Sequence, residues 1–116
     1  MVDVTVWHNP RCSKSREAVS LLREQGAEVV ERRYLDDPPS RAELERLLAQ
    51  LGVEDPRLAM RTGEKVYREL GLAEAHGEAL LEAIVAHPIL LERPVVVRGE
   101  RAVTGRPPQR ALAILE

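Results

Sequence analysis

The chain has 116 residues, a net charge of −2 at pH 7 and a single cysteine, and these values exclude several classes of protein. A slightly acidic balance argues against general binding to nucleic acid, and no apolar run approaches the ~18 residues of a membrane span. One cysteine excludes an intrachain disulfide and a metal site built from several cysteines. Because no secretory signal opens the sequence, we expect a single cytoplasmic domain over residues 1–116.

The first third of the sequence predicts a strand, a helix and a second strand. Alternating β-branched residues indicate a strand over residues 2–8, which Asn9 and Pro10 interrupt. An amphipathic helix is predicted over residues 13–25, and a second strand over residues 28–34. A unit of this kind favours a parallel pair of strands joined by a right-handed crossover.

The middle of the sequence is predicted to be helical. Ser40 and Glu43 have the spacing of a capping box, and the leucines that follow repeat at helical spacing until Gly52. We expect these leucines to face a hydrophobic core. Further helices are predicted over residues 64–70 and 78–86.

The end of the sequence predicts a β-hairpin and a last helix. Two strands over residues 95–98 and 101–104 flank a Gly-Glu turn. Pro107 is well placed near the first position of a helix that continues to Leu115. The complete order is β-α-β, a helical segment and β-β-α, which indicates an α/β fold.

Cys12 lies where the first predicted strand meets the first predicted helix. Free N–H groups and the positive end of the helix dipole both favour a thiolate there, and the N–H groups can also bind an oxyanion. Arg11, Lys14 and Arg16 add positive charge, and His8 can pair with the sulfur or tune it. A lone cysteine is usually inert and buried, but these cationic neighbours argue for a reactive thiol.

The residues around Cys12 match neither a dithiol motif nor a phosphatase loop. A C-x-x-C motif requires a cysteine at position 15, which is Ser15, and a phosphatase loop requires an arginine at position 18, which is Ala18. The three histidines are too scattered to indicate a metal site. The sequence therefore predicts a single nucleophilic thiol beside an anion-binding loop.

Two long segments carry a resemblance to a known family. One reads H-N-P-R-C-S-K-S-R at residues 8–16, and the other reads H-P-I-L-L-E-R-P-V-V-V at residues 87–97. Shorter segments between them are Y-L at 34–35, P-P-S-R at 38–41 and Y-R-E-L-G-L at 67–72. Together, and in this order, they resemble the glutaredoxin-dependent arsenate reductases of the ArsC family.

The resemblance implies a thioredoxin-like fold, with a mixed sheet and an inserted helical region, and it implies roles for individual residues. Cys12 matches the family's nucleophile, and His8 matches the histidine that favours its thiolate. Ser15 and Arg16 match residues that help to hold the loop and the anion. Three arginines match the oxyanion-binding set, namely Arg61, Arg93 and Arg106.

Asn9 and Pro94 are expected to have structural roles beside the site. Arg93 directly precedes Pro94, and thioredoxin-like folds place a cis proline next to the active thiol. Since cis peptide bonds are almost confined to X–Pro, the resemblance predicts a cis bond at this position.

The resemblance implies reduction of arsenate, with glutathione as co-substrate, glutaredoxin as partner and no bound cofactor. One alternative is an Spx-type regulator that binds RNA polymerase, although Ser15 removes the C-x-x-C switch of its redox-sensing members. Another is a glutathione-linked thiol oxidoreductase with a different substrate. The three arginines argue against that alternative, because they match a tetrahedral oxyanion.

Overall fold

The structure of the chain, a computed structural model, describes residues 3–116. The polypeptide divides into two compact units, one formed by Met1–Asp37 together with Arg93–Glu116 and the other by Pro38–Glu92. The second unit is therefore an insertion within the sequence of the first. Whether the two units behave as the single domain expected from the sequence stays a prediction.

The first unit contains a four-stranded mixed sheet. Its strands are β1 (Asp3–Trp7), β2 (Glu28–Arg32), β3 (Val95–Arg98) and β4 (Arg101–Thr104), arranged in the order β2-β1-β3-β4. β1 runs parallel to β2, whereas β3 is antiparallel to both β1 and β4. The predicted β-α-β and β-β-α order and the mixed sheet of a thioredoxin-like fold are thus confirmed.

The N-terminal elements end earlier than the sequence predicted. Val2, the expected start of the first strand, lies outside the described residues. β2 ends at Arg32, whose carbonyl accepts from the His8 N–H at 2.7 Å. The chain turns after this residue, so Tyr34 is not part of the strand. Helix α1 (Ser13–Glu24) has Gln25 as its C-cap rather than as its last residue.

One face of the sheet is covered by α1 and by a C-terminal 3₁₀ helix, Pro108–Leu115. Their buried side chains and those of β1 and β3 form one core, consisting of Val4, Val6, Ala18, Val19, Leu22, Val96, Ala111 and Ile114. The last helix was predicted to begin near Pro107, but Pro108 is its first residue. The Arg110 N–H donates to the Pro107 carbonyl three residues back, which is the 3₁₀ pattern.

The second unit is helical, as predicted. It contains α2 (Arg41–Leu51), α3 (Lys65–Glu69), α4 (Glu78–Ala86) and short 3₁₀ turns at Pro56–Ala59, Leu72–Glu74 and Pro88–Leu90. The capping box is present, because Ser40 and Glu43 exchange two hydrogen bonds of 3.1 Å. The first three leucines of the α2 face are buried. Within residues 3–116, no helix has the length and apolar character needed to cross a membrane.

Candidate active site

Cys12 is the N-cap residue of α1 and is half-buried. Its N–H donates to the Asn9 carbonyl at 3.0 Å, and its carbonyl accepts from the Arg16 N–H at 3.1 Å. The Asn9 side-chain oxygen accepts from the Arg11 N–H at 3.0 Å. Asn9 thus holds the turn from both its backbone and its side chain, and the turn places the sulfur at the start of the helix.

The surroundings of the sulfur lower the pKa of the Cys12 thiol below its ordinary value. Burial is the largest single influence and would raise the pKa, but backbone N–H groups and a guanidinium outweigh it. The N–H of Ser15 and the guanidinium of Arg93 stabilise the thiolate, with a smaller effect from the N–H of Lys14. The Cys12 side chain closes no regular capping hydrogen bond, but the hydrogen-bond donors that face the sulfur lower its pKa more than the charge of Arg93 does.

Arg93 enters the site from the segment that leads into β3. The Arg93–Pro94 peptide bond is cis, as the resemblance predicted, and Pro94 is buried. The Arg106 guanidinium donates to the Arg93 carbonyl at 3.1 Å. The first unit therefore brings together Cys12, Arg93 and Arg106. The bond between Arg106 and Pro107 is also cis, which the sequence analysis did not predict.

His8 contacts Ser15 rather than the sulfur. Its Nδ1 lies 2.6 Å from the Ser15 hydroxyl oxygen, and both residues are buried. The same oxygen accepts from the Asn9 N–H at 3.2 Å. Burial lowers the pKa of His8 below 6.5, and this effect outweighs the opposing charge of Glu31. The imidazole is therefore mostly neutral at pH 7, so any influence of His8 on the thiolate acts through Ser15 and not through a positive charge.

Arg16 supports the turn before the helix. Its guanidinium is exposed and donates to the Pro10 carbonyl at 2.8 Å. This contact ties the first turn of α1 to the preceding turn, and the role of Arg16 in holding the loop for an anion stays a prediction.

Arg61 lies in the second unit, directly after the Pro56–Ala59 turn and the extended residue Met60. Its backbone N–H donates to the Leu90 carbonyl at 2.7 Å. Its guanidinium is paired with Glu64 at 3.0 Å and with Glu92 at 3.6 Å. The part that Arg61 takes in binding an oxyanion at Cys12 stays a prediction.

Two residues next to the site were missed by the sequence analysis. A Glu31 oxygen lies 3.5 Å from His8 Nε2, and the other oxygen is paired with Arg23 at 2.9 Å. The sequence carries no signal for the contact between Glu31 and His8, because it depends on the register of β1 and β2, in which Val6 is opposite Glu31. Side chains two residues apart on a strand share a face, so His8 projects on the face of Val6 and Glu31.

The fold and the site define a thioredoxin-like protein whose single cysteine begins α1 and faces Arg93, the residue that precedes a cis proline. A sequence profile of the ArsC family matches residues 7–114. Since that match spans most of the molecule, the chain belongs to the ArsC family.

Known relatives resemble the chain over nearly all of its length. The arsenate reductase of Neisseria meningitidis serogroup A is 47% identical, over 99% of this chain and 100% of the relative. The arsenate reductase of Haemophilus influenzae is 40% identical, over 98% of this chain and 100% of the relative. The solved structure of an arsenate reductase from Vibrio cholerae has a TM-score of 0.93 at 44% identity, covering 97% of this chain and 98% of that one.

Proposed function

We propose that this protein reduces arsenate at Cys12, with glutathione as the reducing co-substrate and glutaredoxin as the partner that restores the thiol. The observation that carries the proposal is the position of Cys12 at the start of α1, where the Ser15 N–H and the Arg93 guanidinium lower the pKa of its thiol and so favour the thiolate. The arsenate reductases of N. meningitidis and H. influenzae, similar over nearly the full chain, support the choice of substrate.

The first step joins sulfur to arsenic. The Cys12 thiolate attacks the arsenic of dihydrogen arsenate, an S–As bond forms, and hydroxide leaves with its electron pair. Two anions must approach one another in this step, and Arg93 supplies positive charge at the point where they meet. Arg106 lies against the backbone of Arg93 and adds a second cation nearby. Arg61 is the third proposed oxyanion ligand, and Ser15 and Arg16 complete the set.

The second step reduces the arsenic. The glutathione sulfur attacks the Cys12 sulfur, an S–S bond forms, and the S–As bond breaks with its electron pair on arsenic. Arsenic passes from the +5 to the +3 state and leaves as arsenite, which takes the glutathione proton. The two sulfur atoms are oxidised together, and the product is a mixed disulfide of Cys12 and glutathione.

The third step restores the enzyme. This chain has one cysteine, so it holds no second thiol that could resolve the disulfide internally. A glutaredoxin thiolate attacks the glutathione sulfur and releases the Cys12 thiolate by ordinary thiol–disulfide exchange.

A turnover assay tests the proposal. Purified protein with arsenate, glutathione and glutaredoxin should release arsenite over many cycles, and Cys12→Ser should release none. With glutaredoxin withheld, mass spectrometry should find glutathione attached to Cys12. Thioredoxin and its reductase alone should support little turnover. Full turnover on thioredoxin alone, with no glutathione adduct, would show that the reductant is wrong, and no arsenite under any condition would overturn the activity itself.

A further inference from the structure

A series of polar contacts leads from the surface of the first unit to the turn that contains Cys12. Arg23 in α1 is paired with Glu31 in β2, and Glu31 faces His8 at the end of β1. His8 then contacts Ser15, which is fully buried in the first turn of α1. The Ser15 N–H is one of the groups that stabilise the thiolate of Cys12. Glu31 is therefore connected to the reactive sulfur through two intermediate side chains.

The contacts of His8 select one arrangement of its proton. Neutral imidazole has one N–H donor and one acceptor nitrogen. If Nδ1 carried the proton, the lone pair of Nε2 would face the Glu31 carboxylate at 3.5 Å, which is repulsive. If Nε2 carries the proton, it is directed at the carboxylate, and Nδ1 accepts from the Ser15 hydroxyl at 2.6 Å. The carboxylate therefore favours the tautomer with hydrogen on Nε2.

In this tautomer the Ser15 hydroxyl acts both as a donor and as an acceptor. Its single hydrogen is donated to His8, and its oxygen accepts from the Asn9 N–H at 3.2 Å. Both sides of the turn that contains Cys12 are thereby attached to one buried oxygen. With the side chain fixed in this way, the backbone N–H of Ser15 keeps its direction toward the sulfur.

We propose that Glu31 is a positioning residue for the Cys12 thiolate: its carboxylate holds His8 in the Nε2–H tautomer, and His8 in turn fixes Ser15. The inference deepens the proposed function, because the cysteine that it concerns is the proposed nucleophile. Four charged residues act on His8. Glu31 lies in β2 and Arg33 directly follows that strand. Arg16 and Arg23 lie in α1. Glu31 is the one anion among them, so its removal leaves His8 facing only cations.

The direct test is a long-range proton–nitrogen NMR spectrum of His8 near neutral pH, because it reports the tautomer without any substrate. The native protein should show hydrogen on Nε2. Glu31→Leu should shift His8 toward a mixture of tautomers, and Glu31→Gln should keep the native tautomer, since its amide oxygen still accepts from Nε2. In parallel, alkylation of Cys12 at pH 7 should be several-fold slower in Glu31→Leu than in the native protein.

Two control variants separate positioning from a structural role. Arg23→Ala removes the ion pair with Glu31 but leaves the carboxylate facing His8, so the Nε2–H tautomer should persist. Glu28→Leu removes another exposed carboxylate from β2 and should leave both the tautomer and the alkylation rate unchanged. An Nδ1–H tautomer in the native protein would overturn the inference, as would an Arg23→Ala spectrum matching that of Glu31→Leu. Neither readout uses arsenate, so a failure of the proposed activity would leave this test intact.

Discussion

The backbone of Gly105 approaches the ring of Pro94 so closely that a Cβ atom added to Gly105 would lie 2.9 Å from Pro94 Cγ. The Gly105 N–H also donates to the Pro94 carbonyl at 2.8 Å. Because Pro94 directly follows Arg93, this packing holds the backbone that carries the guanidinium to Cys12. Any side chain at position 105 must displace Pro94 or its neighbours.

Gly105→Ala should therefore lower both stability and thiol reactivity. An added methyl group in a tightly packed site costs about 1–3 kcal/mol, and displacement of Arg93 should raise the pKa of Cys12. Urea unfolding and the pH dependence of alkylation measure the two effects. Gly63→Ala is the matched control, because an added Cβ there meets nothing within 4 Å. Equal stability of the two variants would contradict the packing argument.

Cys12→Ser should abolish arsenate reduction while leaving the fold intact. The side chain is half-buried and closes no regular capping hydrogen bond, so the change in the free energy of unfolding should be about 0.5 kcal/mol or less. Arsenite production and the urea midpoint are the measurements. Appreciable arsenite from the serine variant would rule out Cys12 as the nucleophile.

Arg93→Leu should raise the pKa of the Cys12 thiol and slow arsenate reduction by about 100-fold, the usual cost of losing one donor that stabilises developing charge. In Arg93→Lys the pKa of the Cys12 thiol should lie between its values in the native protein and in Arg93→Leu, because lysine keeps the charge but lacks the planar fork of donors. The rate of iodoacetamide alkylation against pH gives the thiol pKa directly. Arg110→Ala, which changes an exposed arginine, is expected to behave like the native protein. An unchanged alkylation profile in Arg93→Leu would remove Arg93 from the site.

Arsenate should protect Cys12 from alkylation, and this protection should need Arg61 and Arg106. If the two arginines bind the same anion, Arg61→Leu and Arg106→Leu should each require a higher arsenate concentration for half protection. Arg68→Ala and Arg110→Ala remove exposed arginines from the same two units and serve as controls. If arsenate protected Arg61→Leu at the same concentration as the native protein, the anion site would be restricted to residues of the first unit.

Acid should destabilise the protein through His8. Burial holds the pKa of His8 below 6.5, so the unfolded chain takes up a proton as pH falls through that value while the folded chain does not. The free energy of unfolding should then decrease with falling pH, with a slope of at most about 1.4 kcal/mol per pH unit. Urea unfolding near pH 7.5 and pH 5.5 should show a larger loss in the native protein than in His8→Gln. Equal losses would mean that His8 is not the titrating group.

Much of the fold follows from local patterns in the sequence. The hairpin of β3 and β4, the helix α4 and the capping box of Ser40 lie where alternation, helical spacing and cap residues placed them. The ends of β1 and β2 could not be obtained in this way, because a strand ends where its partner stops pairing. The 3₁₀ form of the last helix, which packs against α1, is likewise not evident from the local pattern of the sequence.

Only part of the site could be predicted, because its other contacts also depend on how distant segments pair. Cys12 stands out from its position before a helix and its cationic neighbours, but the pairing of Glu31 with His8 depends on the register between β1 and β2. The neutral state of His8 depends on burial, which a string of residues does not reveal. Contacts between distant segments, such as Arg106 with the Arg93 carbonyl, appear only once the sheet has formed.

The pairing of β1 with β3, in which Val6 lies opposite Val96, has a consequence for synthesis of the protein. The Cys12 segment leaves the ribosome long before the segment that carries Arg93, and closing so long a loop is slow and entropically costly. Until the C-terminal strands have been made and paired, the cysteine lacks its guanidinium partner and has the modest reactivity of a thiol on an unfinished chain. The part of the thiol's lowered pKa that Arg93 contributes is therefore gained only after β3 has been made and paired with β1.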